Sequence, residues 1–270
     1  MGFNNLAKNK IEIIHNSGEL LVINKPSGVS VTKDRTGKAD IIHLLSLQLD
    51  VEKSSFRLIH RIDKATSGIL LIAKTARAQS RYAAMFAKRK IKKTYLAFVK
   101  GFAMDEGGVV KQPLDRSSKF KGTMYIAPRR GKQAVTEWQL LADFGLVSLI
   151  KASPITGRTH QIRVHMKHIG MPLAIDPIYG GQEPILLSDF KKKYTPSPGK
   201  PEKPLIDRLT LHAYQLEIPA EDGFEGGVFV AQLEDKFKAA LKMLARHNPR
   251  GEDAFIDRKV YHSIIAAEQI

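Results

Sequence analysis

Short apolar runs separated by turn residues make up most of this chain, and three stretches instead repeat their apolar positions at helical spacing. Glu19 to Asn24 is an apolar run that stops at Lys25-Pro26-Ser27-Gly28 and gives way to Val29-Ser30-Val31, which predicts two strands about a turn. Phe56 to Ile59 predicts another extended piece, and Gly68 to Ala73 is apolar without alternation, as in a strand covered on both faces. The polar segment His60 to Ser67 lies between them, a loop held by two strands. Ala76 to Lys90 places Ala78, Tyr82, Met85 and Phe86 at helical spacing, and the cations from Lys88 to Lys93 suit the negative end of a helix dipole. Tyr95 to Val99 predicts a strand, and Val135 to Leu141 with Val147 to Ala152 an antiparallel pair around Asp143-Phe144-Gly145. Residues 159–169 predict a helix, Leu209 to Ile218 a strand, and Asp235 to Arg246 a closing helix with Phe237, Ala240, Leu241 and Leu244 on one face. Lys191 to Pro204, rich in Lys, Pro, Ser and Gly, predicts a basic loop. Many short strands with few helices and no internal repeat predict an α+β fold: a mostly antiparallel mixed sheet with flanking helices.

Charge narrows the class of partner. Lys and Arg number 43 against 27 Asp and Glu, a net charge of +16 and a pI near 9.9, and a field of that sign draws polyanions. Nucleic acid is therefore the leading partner. The absence of cysteine excludes a disulfide framework, a thiolate nucleophile and cysteine-ligated zinc. No apolar run approaches the roughly 18 residues of a spanning helix, and MGFNNLAKNK carries no signal-peptide core, so the expected location is the cytoplasm, away from the membrane.

The segment richest in chemistry is Arg57-Leu58-Ile59-His60-Arg61-Ile62-Asp63-Lys64-Ala65-Thr66-Ser67-Gly68, a carboxylate among cations and hydroxyls between apolar strands. A carboxylate beside an arginine and partly withdrawn from water can serve as nucleophile or base. An Asp after an Arg in a loop is more often a salt-bridged turn residue, so this segment alone does not assign Asp63 a function. Three histidines, His160, His165 and His168, raise a metal site as a weak alternative, with no HExxH pattern beside them. A nucleophile elbow and a phosphate-binding P-loop are both absent.

His60 to Gly68 resembles the HRLD-x-x-TSG signature of the RluA-type pseudouridine synthases, with Ile62 in place of the commoner Leu. Lys93-Thr94-Tyr95-Leu96-Ala97 resembles that family's K-x-Y-x-A strand, and Thr156 to His165 its TGR-x-HQIR-x-H motif. Lys25-Pro26-Ser27-Gly28 and Arg208 to Ala213 resemble two further blocks, in the family's order, so the similarity spans about residues 17–235.

The resemblance implies an RNA pseudouridine synthase: an isomerase that turns specific uridines of ribosomal or transfer RNA into pseudouridine, with no cofactor and no metal. It implies that Asp63 is the catalytic aspartate, Tyr95 the active-site tyrosine and Arg163 the arginine paired with the aspartate. It implies further that Arg61 helps displace the target base and that Arg158, His160 and Gln161 bind substrate. A uridine in folded RNA must leave its stack before chemistry, and Tyr95 offers a face and a hydroxyl to the extruded base. Three first steps are open to Asp63: attack on C1′, attack on the base, or removal of a proton from C2′. The expected organisation is an N-terminal extension over 1–16, a catalytic domain over 17–247 without the S4 domain of many relatives, and a C-terminal tail over 248–270, as a monomer. Asp176, where Ile175 replaces a Gly common in the family, is expected to hold a turn. The basic stretch with Lys191, Lys192, Lys193, Lys200 and Lys203 is a candidate for phosphate contact. An inactive RNA-binding module and a glycosidic hydrolase remain as alternatives; the second lacks a paired acid near Asp63.

Overall fold

The computed structural model describes residues 10–32, 37–100, 105–191, 194, 199, 201–221 and 223–270, so Lys192, Lys193 and Lys200 of the basic stretch and the first half of the expected extension lie outside the described residues. In chain order the elements are β1 (Glu12–Asn16), β2 (Leu20–Lys25), α1 (Ile41–Leu49), β3 (Arg57–Leu58), β4 (Ser67–Ala73), α2 (Ala76–Ala87), β5 (Lys92–Lys100), β6 (Gly107–Lys111), β7 (Leu114–Arg116) and β8 (Met124–Ile126). They continue with β9 (Val135–Asp143), β10 (Val147–Pro154), α3 (Gln161–His168), β11 (Leu211–Ile218), β12 (Gly227–Val230), α4 (Asp235–His247) and α5 (Arg258–Ala266). The fold is α+β, an antiparallel to mixed sheet with flanking helices. Two compact units divide it: residues 1–92 with 213–232, and residues 93–212 with 233–270.

In the first unit the strand order is β1-β2-β4-β11, with β12 beside β11 and β3 beside the end of β4. β2 runs antiparallel to β4 from Leu20↔Ala73 to Lys25↔Gly68. Because side chains alternate across a strand, Leu20, Val22, Ile69, Leu71 and Ala73 share one face, which packs on Ala78, Tyr82 and Met85 of α2. Leu21, Ile23, Leu70 and Ile72 point the other way and are equally buried. That double burial is why these strands read as unbroken apolar runs. The helix α2 starts where Thr75 accepts the amide of Ala78, a side-chain cap. The expected strand at Val29–Val31 does not form. Its chain curls instead around the Lys25 ammonium, which takes the Val29 carbonyl.

In the second unit β5-β10-β9-β6 is an antiparallel run. A bulge near Leu149/Ile150 leaves Leu141 without a ladder partner on β10, and the Leu141 carbonyl instead accepts the amide of Ile256. The segment after α4 thus docks on β9: Phe255 bridges Ala142 and meets Phe144 edge to face, and Arg250 pairs with Asp143 at 2.8 Å. Phe98 of β5 stacks on Phe237 of α4, ring centroids 4.4 Å apart. A separate hairpin, β7–β8, packs Leu114, Met124 and Ile126 against Val164 of α3 and Tyr179.

Candidate active site

In the first unit Asp63 sits half-buried in the loop between β3 and β4, with Arg61 exposed two residues before it. The loop is held by its backbone. Lys25 is fully buried, and its Nζ donates to the carbonyls of Pro26, Val29 and Lys64 at 2.9, 2.9 and 3.2 Å. The Ser27 hydroxyl donates to the Ala65 carbonyl at 2.7 Å, and the Gly28 amide to the Lys64 carbonyl at 2.9 Å. Lys25-Pro26-Ser27-Gly28 is thus a clamp on the residues that follow Asp63. The Thr66 amide donates to the Asp63 carbonyl and closes a turn under it. Gly68, the second residue of β4, holds φ +107°, and a Cβ there would lie 2.1 Å from the Ala213 carbonyl oxygen of β11, so only glycine fits. On the other flank His60 Nε2 accepts the Leu71 amide at 3.0 Å and the ring stacks on Phe86 at 4.4 Å. His60 therefore anchors the loop to β4.

In the second unit the segment from Thr156 to Arg163 gathers Arg158, His160, Gln161 and Arg163 at the start of α3. Arg163, 4% exposed, donates Nε to Asp176 Oδ2 at 2.8 Å and Nη2 to Oδ1 at 2.7 Å, and Asp176 is fully buried. Asp176 also accepts the amides of Ile178 and Tyr179, the turn role expected of it, while its ion pair with Arg163 is new. Burial pushes the Asp176 carboxyl up, but the Arg163 guanidinium and the two amides outweigh it and hold the group below its ordinary value. The Tyr179 ring lies under the Arg163 guanidinium at 5.0 Å, and its hydroxyl accepts the Met124 amide and meets His160 Nδ1 at 2.8 Å. His160 holds a left-handed backbone at φ 54°. The Gln161 side chain is wholly engaged: Oε1 accepts from the Thr156 hydroxyl and the Arg158 amide, and Nε2 donates to the Val135 carbonyl and Thr136 Oγ1. His165 is buried between Thr136 Oγ1 and the Gln112 carbonyl, both at 2.9 Å. Burial holds its pKa below the usual 6.5, with the His168 charge pressing the same way against the bond to Gln112.

Tyr95 stands half-buried on β5, opposite Ala152 of β10. Buried Thr210 accepts the Ile175 amide and donates to the Phe98 carbonyl, tying the strand of Tyr95 to the segment that carries Asp176.

Residues 19–168 match the family described as RNA pseudouridylate synthase. The chain belongs to that family. It is 35% identical to ribosomal large subunit pseudouridine synthase C of Vibrio parahaemolyticus, over 91% of this chain and 73% of the relative. It is 34% identical to ribosomal large subunit pseudouridine synthase D of Borreliella burgdorferi, over 77% of this chain but only 61% of that relative's length. Among solved structures, Human RNA Pseudouridylate Synthase Domain Containing 4 superposes with a TM-score of 0.65 at 26% identity, covering 89% of this chain and 94% of that one. The chain is accordingly an enzyme of the isomerase class.

Within this pseudouridine synthase, two groups of residues emerge that sequence reasoning left without a role. Lys25 was visible only as part of a motif, and the signal that could have found it is a lysine closing a strand buried on both faces. Thr136 and Gln112 carry the hydrogen bonds behind α3 together with His165, which the sequence offered only as a motif position and a metal candidate.

Proposed function

We propose that this enzyme is an RluA-type synthase that isomerises uridines of large-subunit ribosomal RNA, with Asp63 as its catalytic carboxylate. The observation that carries this reading is the Asp63 loop: Lys25, Ser27 and Gly28 take the backbone carbonyls of the residues that follow the aspartate, so its position is set by the main chain. The names of the relatives favour ribosomal over transfer RNA, and the charge of +16 suits either polyanion.

The reaction breaks the N1–C1′ bond of uridine, turns the uracil while it stays bound, and joins C5 to C1′; C5 loses a proton and N1 gains one. Nothing is added or removed, so the balance needs no co-reactant. Arg61, exposed on the loop, fills the place of the extruded base. Tyr95 gives the base a face to stack on. Arg163 is the cation of the site, Arg158 and His160 contact the RNA, and Gln161 serves them by bracing their turn. The enzyme works as a cytoplasmic monomer with its catalytic domain over 17–247.

The test uses ribosomal RNA tritiated at uracil C5. Tritium release without free uracil is expected. Free uracil would make the protein a glycosidic hydrolase, and binding without release would reduce it to an RNA-binding module.

A further inference from the structure

The hydrogen bonds behind the start of α3 run in one direction only. At one end the Val135 amide can only donate, and it donates to Thr156 Oγ1 at 3.0 Å. Thr156 then gives its proton to Gln161 Oε1 at 2.6 Å. The Gln161 amide has one orientation, because the Arg158 amide on Oε1 can only donate and the Val135 carbonyl on Nε2 can only accept. Nε2 also donates to Thr136 Oγ1, whose own proton is given to Nδ1 of a neutral His165 once the ring's proton is on Nε2. At the far end the Gln112 carbonyl requires the proton of His165 on Nε2. Four backbone groups with a single role each thus fix four side chains between them.

The chain holds Arg158 from two sides. Gln161 Oε1 fixes its backbone at 3.0 Å, and its Nε donates to the Gln133 carbonyl at 3.1 Å, two residues from the Val135 carbonyl that the same amide grips. Among the described residues the two terminal Nη groups of Arg158 have no acceptor, and the residue is half-exposed. A guanidinium with its stem fixed and its terminal donors open suits a phosphate oxygen pair.

We propose that Arg158 is a preset fork for an RNA backbone phosphate, and that Thr136, Gln161 and His165 are positioning residues acting on RNA through it; the choice of RNA rests on the function proposed above. A set guanidinium loses less freedom on binding than a free one, so the chain lowers the cost of each phosphate contact.

A double-mutant cycle on RNA affinity tests this, using a large-subunit ribosomal RNA fragment at fixed salt. Thr136→Val, close in shape but without the hydroxyl, is expected to weaken binding about as much as Arg158→Ala, roughly three- to tenfold. Thr136→Ser is expected to restore it, and Thr136→Val to change nothing further in the Arg158→Ala background. An unchanged affinity for Thr136→Val, or an undiminished loss in the Arg158→Ala background, would overturn the proposal. Nitrogen NMR of the unmodified enzyme tests it without any variant: His165 protonated on Nε2 is expected, and a proton on Nδ1 would reverse the chain and end the argument. Tritium release measured on the same RNA separates the two readings, since bound RNA without release defeats the synthase assignment while the affinity cycle still decides the fork.

Discussion

The loop of Asp63 and the turn before α3 both carry residues proposed for the reaction, yet they are built by opposite means. Around Asp63 the fixed atoms are backbone carbonyls, gripped by Lys25, Ser27 and Gly28. Around α3 the fixed atoms are side chains, joined to one another in the pair Arg163–Asp176 and the row Thr156–Gln161–Thr136–His165. The first design fixes the loop largely through its main chain. The second makes each side chain depend on its neighbours, so a substitution there spreads.

The comparison breaks most sharply at Asp63. Asp63→Ala is expected to lower single-turnover tritium release by on the order of a thousandfold or more, with the melting temperature unchanged and RNA affinity within about tenfold, since phosphate contacts dominate binding. Arg163→Met should cost stability as well as turnover. It leaves the fully buried Asp176 carboxylate without its guanidinium, at a cost of about 3–5 kcal/mol in urea unfolding, and adding Asp176→Leu should return much of it. Lys25→Met comes next: three part-buried carbonyls lose their donor, about 2–3 kcal/mol by urea unfolding, and turnover falls because the Asp63 loop loosens.

The smallest effect is one of pH. The folded-state pKa of His165 is lowered, so the unfolded chain takes the proton first, and stability is lost as pH falls from 6.5 towards the folded value. Above 6.5 the group contributes no slope. The lowered Asp176 carboxyl adds its own loss only below about its ordinary 3.8. Unfolding midpoints between pH 7 and 5 should therefore fall in the unmodified enzyme and fall less in His165→Asn.

Periodicity found what repeats and missed what pairs across the chain. The unbroken run Gly68–Ala73 became β4 and the spaced residues of Asp235–Arg246 became α4, because burial on two faces or on one stripe leaves a direct pattern. The helix α1 went unassigned because its Ile and Leu residues form no single stripe, and the strands β6 to β8 because they are brief. The stretch expected as an extension over 1–16 contains β1, paired to β2, and the expected tail over 248–270 contains α5 and the Phe255 contact on β9. Motif order singled out Asp63 and Arg163 as candidates where charge could not. The bond from Arg163 to Asp176 spans thirteen positions and a turn, a distance over which no local pattern chooses one carboxylate among 27 acidic residues.

The ammonium of Lys25 does inside the fold what a dissolved ion often does in a loop that wraps carbonyl oxygens, but it is tethered to β2 by its own chain. A tethered ion has no exchange equilibrium with the buffer. Raising salt should strip RNA from the enzyme by competing at exposed phosphate contacts while leaving this internal charge in place. The salt dependence of turnover would then report the encounter with RNA alone, and the rate on bound RNA should stay constant from dilute buffer to strong brine.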